Sequence, residues 1–429
     1  MKQLTAFLAK FAWRQRADLY IMVISTVMAS GLTLLAQMSL SYMLAPDVFG
    51  EIRLIHGYFL LVAPVVMLAI HVPLGRLCIR ADAAPRWRVY WGRFVWRWGG
   101  PAIGLTGLLA LVAASGMLTQ SQALNTPLAV LFLAIPVWAI LEFYQHFWKF
   151  TRARRRASMG LLVSRLGLMG GAVLGGFIWQ SSVGFAIGFT AGGILAWLVL
   201  RVVQLRFLQT LPLAPEPAQR LTPEERKIVR TFLPMAFLLN VLGAISLQLD
   251  VVFLDYMIAD TQTAGLYAFA LLFANAAQLI QTPLTAYWLP ELGRFYDQNR
   301  RFFLNRLFVY QAVLTGLVAV AALALYIVVP WVVPSIFAAD YIPGLSLLPL
   351  LLVRVVVQSA YGLLGHGLFI SHAMPLNVGI TGLNILLTCG LSWLWIPPYG
   401  VEGLIYAKIV SDLLFTCVRA LAVLYIVRR

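Results

Sequence analysis

The stretch 307–330, LFVYQAVLTGLVAVAALALYIVVP, contains no charged residue. A helix rises 1.5 Å per residue, so about 20 apolar residues cross the hydrocarbon core of a bilayer. The segment 300–306, RRFFLNR, comes directly before this stretch and is strongly basic. Because Lys and Arg flank the end of a span that is not translocated, the two segments together predict a transmembrane helix of defined orientation.

The same pattern recurs along all 429 residues. We predict twelve spans, at 19–44, 54–74, 99–119, 127–148, 158–180, 183–204, 231–257, 265–289, 307–330, 344–370, 374–395 and 401–427. The chain is 61% apolar and only 11% charged, whereas a soluble domain carries roughly 25% charged residues. A soluble fold could not bury this much apolar surface, so the composition predicts an all-α polytopic membrane protein.

The basic residues lie in alternate gaps between these spans. They precede span 1, separate spans 2 and 3, 4 and 5, 6 and 7, and 8 and 9, and end the chain at Arg428 and Arg429. The opposite gaps hold mostly acidic residues, with Arg53 as the exception. This distribution predicts that both termini are cytoplasmic. It also accounts for the net charge of +16, because basic residues in these gaps can contact membrane lipids. We therefore expect membrane lipids as partners and no nucleic acid.

The chain contains an internal repeat. Residues 41–47 (SYMLAPD) near the end of span 1 match residues 255–260 (DYMIAD) near the end of span 7, at an offset of 214. Glycines beside spans 6 and 12 match at nearly the same offset. These matches predict two parallel six-helix halves, at 1–208 and 230–429, joined by a Pro-containing linker at 209–229. Chance similarity between apolar stretches is the alternative interpretation.

Several motifs resemble those of a known family. The residues that carry the resemblance are 44–50 (LAPDVFG), Asp250, 264–267 (AGLY), 334–337 (PSIF) with Tyr341, Asn384 and 398–403 (PYGVEG). In order and spacing they resemble Wzx-type polysaccharide-transport flippases, which handle O-antigen and exopolysaccharide units, in the multidrug/oligosaccharidyl-lipid/polysaccharide exporter (MOP) superfamily. The resemblance implies two six-helix lobes around a central cavity. It also implies alternating-access transport of undecaprenyl-pyrophosphate-linked oligosaccharides to the outer leaflet of a bacterial inner membrane, alongside polysaccharide polymerase partners.

No enzyme signature is present in the sequence. It has no Walker A loop, HExxH motif or nucleophile elbow. Cys78, Cys389 and Cys417 have no metal-ligand spacing. We therefore expect a protein that is not an enzyme and that has no metal site and no cofactor.

Four cations within or beside the spans are the candidate substrate-binding residues. Arg165, Arg354 and Lys408 lie inside spans 5, 10 and 12, and Arg53 is predicted at the outer end of span 2. A charge near the bilayer centre costs about 2.5–3.5 kcal/mol on insertion scales, so it usually faces a cavity or a partner. We expect these residues to line a cationic cavity that binds a pyrophosphate head. Structural ion pairs and snorkelling to the interface are the alternatives.

Acidic residues in the spans are candidates for proton or sodium coupling. Asp250 lies in span 7, and Asp412 lies one turn after Lys408 in span 12, where the two can pair. Asp250 is equally well interpreted as the ion-pair partner of an Arg from the other half. Glu142 and His146 are also four residues apart, which predicts a helix-stabilising pair or a proton relay.

Amide side chains in the spans are candidate glycan contacts. They are Asn275, Gln278, Gln281 and Gln358, and interhelical hydrogen bonding is the competing interpretation for each of them. A cation-coupled multidrug exporter of the same superfamily is the main alternative function. Asp250 favours that alternative, whereas the excess of basic over acidic residues within the spans opposes it.

Overall fold

The chain is described by a computed structural model covering residues 2–79, 84–151, 153–211, 221–371 and 373–428. Within these ranges it is helical, and no strand is present. The helices are α1 (Lys2–Met43), α2 (Pro46–Met67), α3 (His71–Ile79), α4 (Trp87–Ala114), α5 (Asn125–Phe132), α6 (Ile135–Phe150), α7 (Arg154–Trp179), α8 (Ser182–Thr210), α9 (Pro223–Phe253), α10 (Thr261–Ala276), α11 (Gln281–Gln298), α12 (Arg300–Ile336), α13 (Leu348–Ser359), α14 (Gly362–Ile370), α15 (Met374–Tyr399) and α16 (Val401–Arg428).

These helices form the twelve predicted spans. Ten helical segments of the described chain are long and apolar enough to cross a membrane. Two bent pairs, α5 with α6 and α10 with α11, each have a 43° bend and supply the remaining two spans. The all-α, twelve-span prediction is therefore confirmed.

One predicted boundary is wrong in a way that affects the site. Span 2 begins at Pro46, not at residue 54, because Pro46 occupies the first helical position and Ala45 ends the preceding turn. Arg53 consequently lies about 10 Å inside α2, at 1.5 Å per residue, rather than at the membrane surface.

The helices divide into two six-span lobes, the N-lobe (α1–α8) and the C-lobe (α9–α16). The spans are interrupted at equivalent places in both lobes. The interruptions of spans 2 and 8 follow Met67 and Ala276, and those of spans 4 and 10 follow Phe132 and Ser359. We call the end that carries the turns at 44–45, 180–181, 259–260 and 400 the hairpin end, and the opposite end the terminal end. α8 extends to Thr210 and α9 begins at Pro223, while residues 212–220 of the predicted linker lie outside the described chain. The lobe boundaries at 208 and 230 stay a prediction.

A reciprocal backbone contact joins the lobes near the hairpin end. A Cβ atom at Gly50 of α2 would overlap the carbonyl oxygen of Thr261, and a Cβ atom at Gly265 of α10 would overlap the carbonyl oxygen of Pro46. Gly50 and Gly265 are 215 residues apart, as are Pro46 and Thr261, which is close to the offset of the sequence repeat. The Tyr341 hydroxyl adds a hydrogen bond to the carbonyl oxygen of Leu44, at 2.9 Å. The lobes therefore meet backbone to backbone at this end.

A second contact joins the lobes at the terminal end. Glu225, in the first turn of α9, is buried and lies 2.8 Å from the Arg86 guanidinium. It also accepts a hydrogen bond from the Tyr90 hydroxyl, at 2.5 Å, and caps its own helix together with Thr222. The start of α9 is thus held against the start of α4.

Candidate functional site

A cavity of about 680 Å³ lies between the lobes. Its walls come from α1, α2, α6 and α7 of the N-lobe and from α9, α10, α11 and α13 of the C-lobe. Arg53 and Asp250 line it towards the hairpin end, below the Gly50–Gly265 contact, whereas Lys149, near the end of α6, lines it towards the terminal end. The hairpin side of the cavity is therefore the side on which the lobes meet backbone to backbone, while the contact of Glu225 with Arg86 and Tyr90 joins them at the terminal end.

Asp250 stands at the centre of an ion-pair network that crosses the lobe interface. Its carboxylate is fully buried, with a relative exposure of 0%. It lies 3.4 Å from Arg53 of the N-lobe, and 3.7 Å from Arg354 and 3.5 Å from Lys408 of the C-lobe. We call these three residues the cation cluster. The interpretation of Asp250 as a partner for an Arg of the other half is confirmed.

Tyr267 completes this network. Its hydroxyl donates a hydrogen bond to Asp250 at 2.8 Å and accepts one from the Arg354 guanidinium at 2.6 Å. Sequence reasoning included Tyr267 only as part of the AGLY motif, because a tyrosine in an apolar span gives no signal of charge pairing. Its position two residues after Gly265 in the AGLY motif is the sequence feature that could have drawn attention to it.

The cation cluster is incompletely satisfied by Asp250. Charge-assisted hydrogen bonds normally measure about 2.7–2.9 Å, and all three cation–Asp250 distances are longer than that. Arg53 Nε, Arg354 Nε and Lys408 Nζ are buried and have no hydrogen-bond partner among the described residues. One carboxylate is thus shared among three cations, which keep unused donor capacity.

Arg165 lines the same cavity but belongs to a separate pair. Its guanidinium lies 3.5 Å from the carboxylate of Glu142, and its side chain is 29% exposed. The ring of His146 contacts the backbone oxygen of Glu142, at 2.9 Å, rather than its carboxylate. The predicted side-chain pair between Glu142 and His146 is therefore wrong, because Arg165 on the neighbouring helix takes the carboxylate.

The prediction that Lys408 lines the large cavity is wrong. It lies behind Asp250, in a small cavity of about 10 Å³ that it shares with Arg354, Thr388 and Asp412, a volume sufficient for about one water molecule. Asp412 accepts a hydrogen bond from Asn384 at 3.1 Å. Spacing along α16 predicted a Lys408–Asp412 pair, but the ammonium lies 3.5 Å from Asp250 of α9 instead.

The four amides predicted as glycan contacts lie together. Asn275, Gln278, Gln281 and Gln358 line a polar recess of about 450 Å³, which we call the amide recess. It adjoins the large cavity, whose wall shares Asn275, Gln278 and Gln358. Gln278 donates hydrogen bonds to Gln358 and to the backbone of Val355, both at 3.2 Å. The helix interruptions after Ala276 and Ser359 border this recess, so backbone groups as well as side chains are polar there.

Two six-span lobes around a charged central cavity define a class of polytopic membrane proteins, and solved structures share this fold. One is described as the inward-facing conformation of a multidrug resistance MATE family transporter of the MOP superfamily. It is 12% identical, with a TM-score of 0.69, over 95% of this chain and 98% of that one. The outward-facing conformation of such a transporter aligns with a TM-score of 0.66 at 12% identity, over 96% of this chain and 95% of that one.

A third solved structure is of special interest for the cavity. It is a MOP superfamily transporter from Pyrococcus furiosus, described as having a binding pocket of reverse polarity that suggests a different function. It aligns with a TM-score of 0.60 at 12% identity, over 96% of this chain and 95% of that one. No family model matches the chain, and no curated protein sequence matches it. At these identities, the likeness shows the fold, which is that of MOP-superfamily transporters.

Proposed function

We propose that this protein is a transporter that moves a lipid-linked oligosaccharide with a diphosphate head from the cytoplasmic to the outer leaflet of a bacterial inner membrane. The observation that carries this proposal is the buried cation cluster at the hairpin side of the central cavity. Arg binds phosphate through a planar fork of donors and Lys binds it as a point charge, and the cluster contains both.

The charge balance of the cavity favours an anionic substrate. Among the described residues that line it, four are basic (Arg53, Lys149, Arg165 and Arg354) and two are acidic (Glu142 and Asp250). Lys408 adds a further positive charge directly behind Asp250. Buried charges are stable only when they are paired. A diphosphate diester carries two negative charges, and it would supply the partners that the cation cluster lacks.

The amide recess supplies a place for sugar. Its four amides offer both donors and acceptors, and Tyr361 adds an aromatic side chain to its wall. Because the recess adjoins the charged cavity, a substrate with a diphosphate next to a glycan could occupy both at once.

Helix α1 presents both a polar and an apolar side. Thr26 and Ser30 line the cavity, whereas Ile24, Val27 and Met28 are exposed apolar side chains that suit contact with lipid. A substrate whose head lies in the cavity and whose isoprenoid chain stays in the bilayer requires a wall of this kind.

The lobe contacts suit one stage of an alternating-access cycle. Contact at the hairpin end, which the basic-residue distribution predicts to be outer, would close that side and direct the cavity towards the cytoplasm. Substrate would then enter from the leaflet where it is made. Opening of the Gly50–Gly265 contact would release it on the other side.

A multidrug exporter is the second candidate function. Two of the solved structures that share the fold are described as multidrug resistance transporters, and two carboxylates line the cavity. Asp250, however, is already surrounded by three cations, which leaves it a poor partner for a cationic drug. The reverse polarity described for the Pyrococcus furiosus transporter illustrates that this fold does not fix the charge of its substrate.

Deletion of the gene in its host tests the proposal. We expect lipid-linked oligosaccharide to accumulate in the inner membrane and surface polysaccharide to be lost. The wild-type chain and the exposed-residue control Arg306→Gln should restore both, whereas Arg354→Gln should restore neither despite equal membrane levels. Unchanged precursor together with altered drug sensitivity would favour the exporter and overturn the proposal.

A further inference from the structure

We propose that Asp250 occupies the site of the substrate's anionic group in the empty protein, and that substrate binding expels its carboxylate, which then takes up one proton. This inference rests on the proposed function and adds a coupling step to it. It assigns Asp250 the part of an internal competitor for the cation cluster, not that of a residue that binds substrate.

The geometry around Asp250 supports this assignment. Five groups on five helices of the described chain contact its carboxylate, and each is a cation or a hydrogen-bond donor. These groups are Arg53 on α2, the backbone N–H of Val251 on α9, Tyr267 on α10, Arg354 on α13 and Lys408 on α16. Such a shell is what a bound anion requires, and Asp250 is the anion that fills it here.

Asp250 fills this shell incompletely, which leaves room for exchange. Each member of the cation cluster retains a buried nitrogen that has no hydrogen-bond partner in the described part of the chain, and Asp412, the other carboxylate near Lys408, is engaged by Asn384. A diphosphate offers more acceptor oxygens and one more negative charge than a carboxylate. It would therefore displace Asp250 from the cluster, since two anions cannot share the same shell without strong repulsion.

The expelled carboxylate has a defined chemical fate. Once separated from its cations, Asp250 remains in a water-poor site, where burial disfavours its charged form. It therefore takes up a proton from the water of the cavity to form the neutral acid, and no covalent bond to substrate is made or broken. Substrate loading thus adds one proton to the protein and replaces the Arg53–Asp250 bridge between the lobes by an Arg53–substrate–Arg354 bridge.

The proton count of binding tests the exchange directly. The probe is a synthetic farnesyl diphosphoryl N-acetylglucosamine, a diphosphate diester whose own charge is constant near neutral pH. Calorimetric titration of the purified full chain in buffers of different ionisation enthalpy gives the protons taken up per probe bound. We expect about one proton for wild type and none for Asp250→Asn. The matched control Asp255→Asn should behave as wild type, because Asp255 is also buried at the lobe interface but is bonded to Tyr58.

Affinity provides a second, independent readout. Removal of an internal competitor should make Asp250→Asn bind the probe about tenfold more tightly than wild type. The same substitution leaves three cations without their anion, so the unliganded variant should also unfold at a lower temperature and gain more from the probe than wild type does.

The outcomes separate this inference from the proposed function. If wild type does not bind the probe, the proposed function fails and the inference fails with it. If wild type binds without proton uptake, or if Asp250→Asn binds more weakly as Arg354→Gln should, the exchange is wrong and the proposed function stands. If Asp250→Asn does not fold, the proton count of wild type against Asp255→Asn decides the matter alone.

Discussion

The fifth and sixth spans of each lobe form a helix hairpin, and the two hairpins are built in opposite ways. In the N-lobe, α7 and α8 meet along paired glycines, where an added Cβ atom would overlap the backbone of the facing helix. These glycines are Gly167, Gly171, Gly175, Gly184, Gly188 and Gly192. In the C-lobe, α15 and α16 are bridged by side chains. Thr388 and Ser411 lie 2.7 Å apart, Asn384 bonds Asp412 at 3.1 Å, and Arg419 donates to Thr381 at 3.1 Å.

This difference explains why one lobe carries most of the buried charge. Helices in backbone contact leave no volume between them for a polar side chain, and they hold together through close packing of small residues. Helices separated by side chains leave room for groups such as Lys408 and Asp412, which then require partners. We infer that the N-lobe hairpin serves as a rigid support and that the C-lobe hairpin supports the cation cluster.

The largest effect should be a loss of folded protein when the glycine contact between α7 and α8 is disrupted. Gly188→Leu places a side chain where the carbonyl oxygen of Gly171 lies, so the helices must separate. Overpacking typically costs about 1–3 kcal/mol and occasionally more, and here backbone rather than a movable side chain is in the way. We expect the yield of monodisperse protein in size-exclusion chromatography to collapse. Gly170→Leu is the control, since its Cβ atom meets nothing within 4 Å, and equal yields would refute the close contact.

The next largest effect is a loss of transport, and it should differ between Arg354 of the C-lobe and Arg165 of the N-lobe. Removal of one partner of a buried charge interaction costs about 2–5 kcal/mol, so Arg354→Gln should lower transport at limiting substrate by at least about 30-fold. Arg165→Gln should lower it only about threefold, because the Arg165 side chain is 29% exposed and pairs with a single carboxylate. Rates of precursor translocation in proteoliposomes, normalised to the amount of inserted protein, give the comparison. A larger loss of transport for Arg165→Gln than for Arg354→Gln would mean that the N-lobe cation contributes more to transport than the C-lobe cation.

A smaller effect is expected from the amide that holds Asp412. Asn384→Ala removes the donor bonded to this carboxylate, and a hydrogen bond to a charged group is worth about 1.5–3 kcal/mol. We expect a corresponding loss in the free energy of unfolding measured in mixed detergent micelles. Asn305→Ala, at an exposed position of α12, should change it by less than about 0.5 kcal/mol. Equal effects would mean that the buried bond contributes nothing.

The smallest effect concerns the Thr388–Ser411 hydrogen bond. A double-mutant cycle of Thr388→Val and Ser411→Ala should give a coupling energy of about 0.6 kcal/mol, the average for interhelical hydrogen bonds in membranes. Thr190→Val is the control on the N-lobe hairpin, because its hydroxyl bonds to its own helix at Ala186. It should show no coupling to Ser411. Absence of coupling in the Thr388 cycle would place the two hydroxyls apart in the membrane.

The positions of the buried charges can be predicted from the sequence, but their partners cannot. Arg354 and Asp250 are visible because a charge in an apolar stretch is conspicuous, and the twelve spans follow from apolar length alone. Spacing along one helix favours Asp412 as the partner of Lys408, whereas the contact that forms is with Asp250 of another helix. Pro46 and Asp47 are typical of a turn, which predicts Arg53 at the surface, but in the structure they open α2. These contacts depend on how the helices pack against one another in the folded protein, and the spacing of residues along the chain does not encode that packing.

The contact between Gly50 and Gly265 has a consequence for how the lobes would part in the proposed transport cycle. Side chains on opposing surfaces can stretch or rotate to stay in touch as a gap widens, but bare backbones cannot. A radial gap of about 0.5–1 Å already forfeits a quarter to a half of the dispersion attraction between two atoms. Because each glycine meets the start of the opposite helix, both halves of the contact are lost together. In the proposed transport cycle this contact would therefore be either fully made or fully lost, and the time spent between these two positions should be short.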